Sequence, residues 1–233
     1  MNILQVAEQC CYRTGDNVID NLFSDQDHSR EWLGYLSQAV ALIPNEHKWA
    51  ALAKDYVFTT SLGQSAYDLP ADFKCMISYC LYNLTHHRLI PAANADSQLR
   101  HLASGDRSQS HISFRLMGGK IVFTYPIEQN VTIQLSYLSK NTIKHTNSEG
   151  LVSYSDCLTA NTDEFVLSNE LLILKAIMLR AVNLGFPEAA QRESDYLKQL
   201  EHEMVDDGAN ILFNSALNGF FNKTTPPTWS AVR

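Results

Sequence analysis

The stretch Ser168–Gly185, SNELLILKAIMLRAVNLG, constrains the fold more than any other part of the chain. From Leu171 to Leu184 only Lys175, Arg180 and Asn183 are polar, and on a helix these three fall within one arc of about 140°. A helix so apolar is buried nearly all round, so the other elements must be arranged about it. The Ser168 hydroxyl can accept from the first free amides, Gly185 can take the left-handed position past the end, and Pro187 blocks continuation and opens the next helix. The run is too short to cross a bilayer. It reads as a central core helix.

Around it, 233 residues suffice for one domain with a sizeable core, or a main domain with an insertion. A net charge of −7 argues against a surface made to grip nucleic acid by its phosphates. The five cysteines (Cys10, Cys11, Cys75, Cys80, Cys157) form no CxxC pair and have no histidines at ligand spacing, so neither a disulfide framework nor a zinc site is expected. They read as reduced thiols. Met1 leads into Asn2-Ile3-Leu4-Gln5 without the basic and apolar run of a secretory signal, which predicts synthesis in a cytoplasm.

The periodicity predicts an α+β fold: a helical body, made of N-terminal helices and an αα-hairpin, with an antiparallel β-rich insertion. Residues 1–54 supply the N-terminal helices. These are Asn2–Arg13 stopped by Gly15, a short turn carrying Val18, Ile19, Leu22 and Phe23, Asp27–Ile43 with Pro44 ending or kinking it, and a helical continuation from Asn45 to Lys54 with Trp49 and Leu52. Residues 55–140 form the insertion. Asp55–Leu69 reads as a hairpin about Ser61-Leu62-Gly63-Gln64, and Lys74–Leu84 as one strand. Ala92–Ala103 reads as a short helix or loop, and Asp106–Ser110 as a polar loop. In Ile112–Tyr125, Gly118-Gly119 supplies the positive φ of a two-residue hairpin turn, and Val131–Tyr137 alternates as a strand with one wet face. Residues 141–207 hold a long Ser/Thr/Asn-rich loop, spanning Ser139–Thr162, and then the helical hairpin. Its second helix, Pro187–Asp207, turns Ala190, Tyr196, Leu197, Leu200 and Met204 inward. Residues 208–233 are a tail with Ile211, Leu212, Phe213, Leu217, Phe220, Phe221 and Trp229 and no charge before Lys223. A terminus so apolar docks on its own domain or waits for a partner.

Catalytic signatures are not found: there is no GxSxG elbow, no phosphate-cradling glycine loop and no HExxH. His86-His87 lacks an acidic third ligand and reads as a solvated loop. Asp68 and Asp72 flank Pro70 and suit turn and capping duty better than a glycosidase pair. The acidic run Glu188, Glu193, Asp195, Glu201, Glu203, Asp206 and Asp207 reads as a solvated face, or as a surface that repels DNA phosphates. No catalytic residue, metal ligand or cofactor is expected.

Several stretches together resemble the head-to-tail adaptor (connector) proteins of short-tailed bacteriophages. These are the first helix ending at Thr14-Gly15, the helix with Trp32 and then Trp49, and the run from Phe58-Thr59-Thr60 to Tyr67-Asp68-Leu69-Pro70-Ala71-Asp72-Phe73. The hairpin Phe114–Phe123 leading to Tyr125-Pro126, Tyr137-Leu138, Phe165–Gly185 and the helix after Pro187 complete the set. The likeness covers about residues 1–208 and consists of distributed preferences. It implies a virion structural protein of the neck that binds below the portal ring in a ring of copies, commonly a dodecamer. Such a ring extends the DNA channel and receives a downstream tail or nozzle protein. The DNA would pass without specific binding, and no membrane would be engaged. In such adaptors the C-terminal segment often reaches the portal, and the apolar residues Ile211–Trp229 suit that role, with Phe213, Phe220, Phe221 and Trp229 able to fill partner pockets. A stopper or tail-completion protein of the same neck is the first alternative. A small cell-wall hydrolase using Asp68 or Asp72 is the second.

Overall fold

The computed structural model describes the backbone of residues 1–93 and 112–217 and the side chains of residues 1–93 and 112–208. The expectations for Ala92–Ala103 and Asp106–Ser110 fall largely outside the described residues. Within them the chain is α+β, with four α-helices and eleven strands in three sheets, every strand pairing antiparallel. The helices are α1 (Ile3–Thr14), α2 (Asp27–Glu46), α3 (Asn169–Leu184) and α4 (Ala189–Leu217).

Helix α3 sits where its apolarity demands. Leu171, Leu172, Ile173, Ala176 and Ile177 join Ile3, Val6 and Ala7 of α1, Trp32, Leu36 and Ile43 of α2, and Tyr196 and Leu200 of α4 in one core. Ser168 Oγ accepts from the Leu171 amide, and Gly185 takes φ +67° past the end, the position a Cβ would disfavour. Burial is not complete all round, because Val182 and Leu184 in the last turn are exposed. The polar arc has a purpose that spacing alone does not reveal. Lys175 is buried, pairs with Glu46 of α2 at 2.7 Å and lies 4.3 Å over the Tyr196 ring of α4. Arg180 pairs with Asp16 and Glu31 and stacks on Trp32 and Phe186. The few polar side chains of the central helix therefore tie it to its neighbours.

Two helical expectations need correction. Pro44 does not end α2, which runs on to Glu46. The carbonyls left open there are taken by side chains: Asn45 Nδ2 donates to Ala41, Trp49 Nε1 to Ile43 and Lys74 Nζ to Pro44. The helical continuation to Lys54 is absent, and a single 3-10 turn, Ala50–Leu52, buries Trp49 and Leu52 before strand β1 begins at Ala53. In α4, Tyr196 and Leu200 face the core as expected and Met204 packs beside it, whereas Ala190 and Leu197 are exposed.

The largest sheet orders β1 (Ala53–Thr59), β8 (Thr132–Ser139), β4 (Cys80–Asn83) and β5 (Arg88–Pro91), with β3 (Phe73–Met76) also on β8. A second joins β2 (Ala66–Asp68), β7 (Lys120–Phe123) and β6 (Phe114–Met117). Gly118 and Gly119, at φ +59° and +74°, close the β6–β7 hairpin as their sequence requires. The expected Asp55–Leu69 hairpin does not form: β1 and β2 enter different sheets and meet face to face, with the Phe58 and Tyr67 rings 4.9 Å apart. Lys74–Leu84 is two strands with a break between, both laid along β8. Phe114, Ile121, Phe123, Ile133, Leu135 and Tyr137 fill this second core. Leu138, the neighbour of Tyr137 on β8, points into the helical core instead, as pleating dictates.

The segment Ser139–Thr162, expected as a loop, contains a third sheet. Strands β9 (Ile143–Thr146), β10 (Val152–Ser155) and β11 (Glu164–Phe165) lie in the order β10-β9-β11, and Ile143 and Phe165 belong to the helical core. The turn is built by Asn147, whose side chain accepts from Glu149 and Leu151 amides, and by Gly150 at φ +79°.

Candidate functional site

The apolar C-terminal residues do not begin a free tail at Gly208. Helix α4 is 29 residues long and its backbone runs unbroken through Gly208 to Leu217, so Ile211, Leu212, Phe213 and Leu217 are helical positions. Phe220, Phe221 and Trp229 lie outside the described residues. Two carboxylates fasten α4 just before this stretch. Glu203 accepts from the Ser168 hydroxyl that caps α3, at 2.6 Å. Asp207 accepts from the Ala50 amide at 3.0 and 3.1 Å and contacts His47 Nε2 at 3.0 Å. The acidic run thus divides: Glu188, Glu193, Glu201 and Asp206 face solvent, while Glu203 and Asp207 anchor the helix to the body.

His86 and His87 sit exposed in the β4–β5 turn, where His87 has φ +50°. Among the described residues no group of three His, Cys, Asp or Glu side chains is placed to hold a metal ion, and no helix is long and apolar enough to cross a membrane. Asp68 pairs with Lys120 at 2.6 Å. Asp72 receives Lys54 Nζ at 2.6 Å and the Tyr137 and Ser139 hydroxyls at 2.8 Å each. Burial alone would raise the Asp72 carboxyl, but these donors outweigh it and bring it down to about 2.

That depressed value fixes a sign. Asp72 contributes stability above its ordinary value of 3.8, and the contribution is lost as pH falls from there toward about 2. Asp72→Asn should cost on the order of 2 kcal/mol near neutrality. Denaturant unfolding of both proteins across this pH range should show the gap narrowing below pH 3.8; a gap independent of pH would assign the effect to packing.

One constellation was not visible in the sequence. On β9, His145 stands opposite Ser153 of β10, and the β9–β11 register, Lys144 with Glu164 and Ile143 with Phe165, brings Asp163 to its other side. Ser155, two residues beyond Ser153, shares its face of the sheet. His145 Nδ1 meets Asp163 Oδ1 at 2.7 Å, and Nε2 meets Ser155 Oγ at 2.5 Å. The Asp163 side chain is only 2 % exposed. Burial pushes its carboxyl up, but donation from the Thr159 and Ala160 amides and from His145 holds it below the usual aspartate range. Its backbone is fixed as well, since its carbonyl accepts from Ile3 at the start of α1. The signal that was available is the alternation Ile143-Lys144-His145 and Val152-Ser153-Tyr154-Ser155 about an Asn-Ser-Glu-Gly turn, a hairpin pattern obscured by its Ser/Thr/Asn-rich composition.

Two sites are therefore on view: the apolar C-terminal stretch of α4 that follows two anchoring carboxylates, and a Ser–His–Asp cluster on the small sheet. No protein-family model matches the chain, and no curated protein matches it.

Proposed function

We propose that this chain is a virion structural protein, a head-to-tail adaptor that binds below a portal ring, extends the DNA channel and receives the next tail component. The observation that carries the reading is helix α4. It spans roughly 44 Å as an unbroken helix, is tied to the body as far as Asp207, and then continues into residues without a single charge until Lys223. An uncharged helical extension of this kind suits insertion between subunits of a partner, where apolar anchors give most of the binding energy. Phe213, Phe220, Phe221 and Trp229 are the anchors by size.

Two further features support it. Tyr79, Leu62 and Leu151, in the connections between strands, are 85 %, 79 % and 68 % exposed and are available for lateral contacts between copies in a ring. The solvent-facing acids of α4 suit a wall past which DNA must slide without sticking. In this reading the protein resides in the neck of the particle, with the portal, further copies of itself and a downstream tail protein as partners.

The mass of the purified protein, measured alone and after mixing with isolated portal rings, tests the proposal. The expected result is a ring-sized complex that forms on mixing. An unchanged mass distribution at micromolar concentrations of both would overturn it.

A further inference from the structure

We propose that Ser155, His145 and Asp163 form a serine-type acyl-hydrolase site on the small sheet, taking esters of short acyl groups as its substrate class. The inference stands apart from the adaptor reading and uses no residue of α4.

The hydrogen bonds set the roles. Asp163 Oδ2 is occupied by the Thr159 and Ala160 amides, at 2.6 and 2.9 Å, which leaves Oδ1 for His145. An ionised carboxylate only accepts, so the proton of the neutral imidazole is held on Nδ1 and the bare Nε2 is turned to the Ser155 hydroxyl. The first bond links β9 to the β11 side and the second links β9 to β10, so the imidazole sits between a buried carboxylate and a hydroxyl. A nucleophile, a base within reach of its proton and a buried group that orients the base are what acyl transfer requires. The Ser155 hydroxyl also lies 2.8 Å from the Cys157 carbonyl and accepts from the Cys157 amide at 3.3 Å, so at rest its proton has two acceptors. Ser155 is half-buried at the end of β10, an outer strand of its sheet, and Asp156 and Cys157 beside it are exposed. A site on such an open edge admits small acyl groups without a lid.

In the reaction Ser155 Oγ forms a bond to the acyl carbon as its proton passes to His145 Nε2. The ester C–O bond then breaks, and the leaving alcohol takes that proton from Nε2. Water repeats the sequence, giving up its proton to Nε2 as it attacks the acyl-serine, and the carboxylic acid departs as Ser155 recovers its hydrogen. Ser155 and His145 are the catalytic residues and Asp163 is a positioning residue.

The test uses the full chain, an alkyl fluorophosphonate probe and p-nitrophenyl acetate. Intact-mass and peptide analysis should find one adduct, on Ser155, and acetate ester hydrolysis should exceed that of Ser155→Ala. His145→Gln should lower both the labelling rate and the hydrolysis by roughly a hundredfold or more. Asp163→Asn should lower the limiting rate of labelling while leaving the half-saturating probe concentration unchanged, which a purely architectural role would not do. Ser155→Ala keeps the His145–Asp163 bond and every buried group, so its result does not depend on whether the Asp163 variant folds. Labelling of the native chain no faster than of the heat-denatured chain, labelling at another residue, or full hydrolysis by Ser155→Ala would each overturn the proposal.

Discussion

Under the proposed adaptor role, a chain ending at Asp207 should stay folded and fail to attach to portal rings. Among the described side chains Leu200 is the last buried member of the two cores and Met204 packs alongside it, so the truncation removes none of them. The Glu203 and Asp207 anchors also remain. What is removed is the uncharged part of α4 and all that follows, including Ile211, Leu212, Phe213, Leu217, Phe220, Phe221 and Trp229. Large aromatic anchors commonly contribute about 2 kcal/mol or more each, without being additive, so loss of the set should weaken attachment at least about a thousandfold. Phe220→Ala or Phe221→Ala alone should weaken it roughly tenfold or more. Sedimentation with isolated portal rings measures the first effect, and thermal melting of the truncated chain within a few degrees of the full chain checks that folding is intact. A truncated protein that still binds would place the anchor on the body, where the exposed side chains of the β-rich elements would be the next candidates.

Helices α1 and α3 were legible because their signals are local. Ser168, Gly185 and the apolar run between them define α3 without reference to anything else, and Asn2 with Gln5 forms a capping box at α1. The Gly118-Gly119 hairpin is equally local. What the sequence hid depends on partners far along the chain. Tyr67 crosses to β7 while its ring packs on Phe58 of β1 and Phe123 of β7, and no turn residue carries that information. Pro44 reads as a stop because the donors that rescue its helix end, above all Lys74, come from a different element. Gly208 reads as a stop because isolated glycine weakens a helix, yet α4 is held on both α3 and the 3-10 turn up to the preceding residue. The Ser155–His145–Asp163 cluster was missed for a third reason. Its members lie within one polar stretch, and composition outweighed a short alternation that only strand register makes meaningful.

The second large effect concerns the polar group at the centre of the helical body. Glu46→Ala should destabilise the protein by about 2–3 kcal/mol, below the roughly 3–5 kcal/mol of a fully buried ion pair because the Glu46 side chain is 27 % exposed while its partner Lys175 is buried. The side chain of Lys175 is 9 % exposed and has Glu46 as its carboxylate at 2.7 Å. Tyr196, 1 % exposed, donates its hydroxyl to the other oxygen of the same carboxylate, while the Lys175 ammonium lies over the Tyr196 ring. Burial and the hydrogen bond to Glu46 both push the Tyr196 hydroxyl up, so it is a donor at neutral pH. One glutamate thus satisfies two buried donors from α3 and α4, and its loss strands both in an apolar setting. For a chain of this size the melting temperature should fall by roughly 4–12 °C. Glu46→Gln should cost less, because an amide oxygen still accepts from Tyr196. The decisive comparison replaces the whole group: Glu46→Gln, Lys175→Met and Tyr196→Phe together should recover most of the loss seen in Glu46→Ala, since no charge then remains buried. If the combined variant melts lower than Glu46→Ala, the three side chains act by shape and packing, and the charge on Lys175 is not what demands a partner.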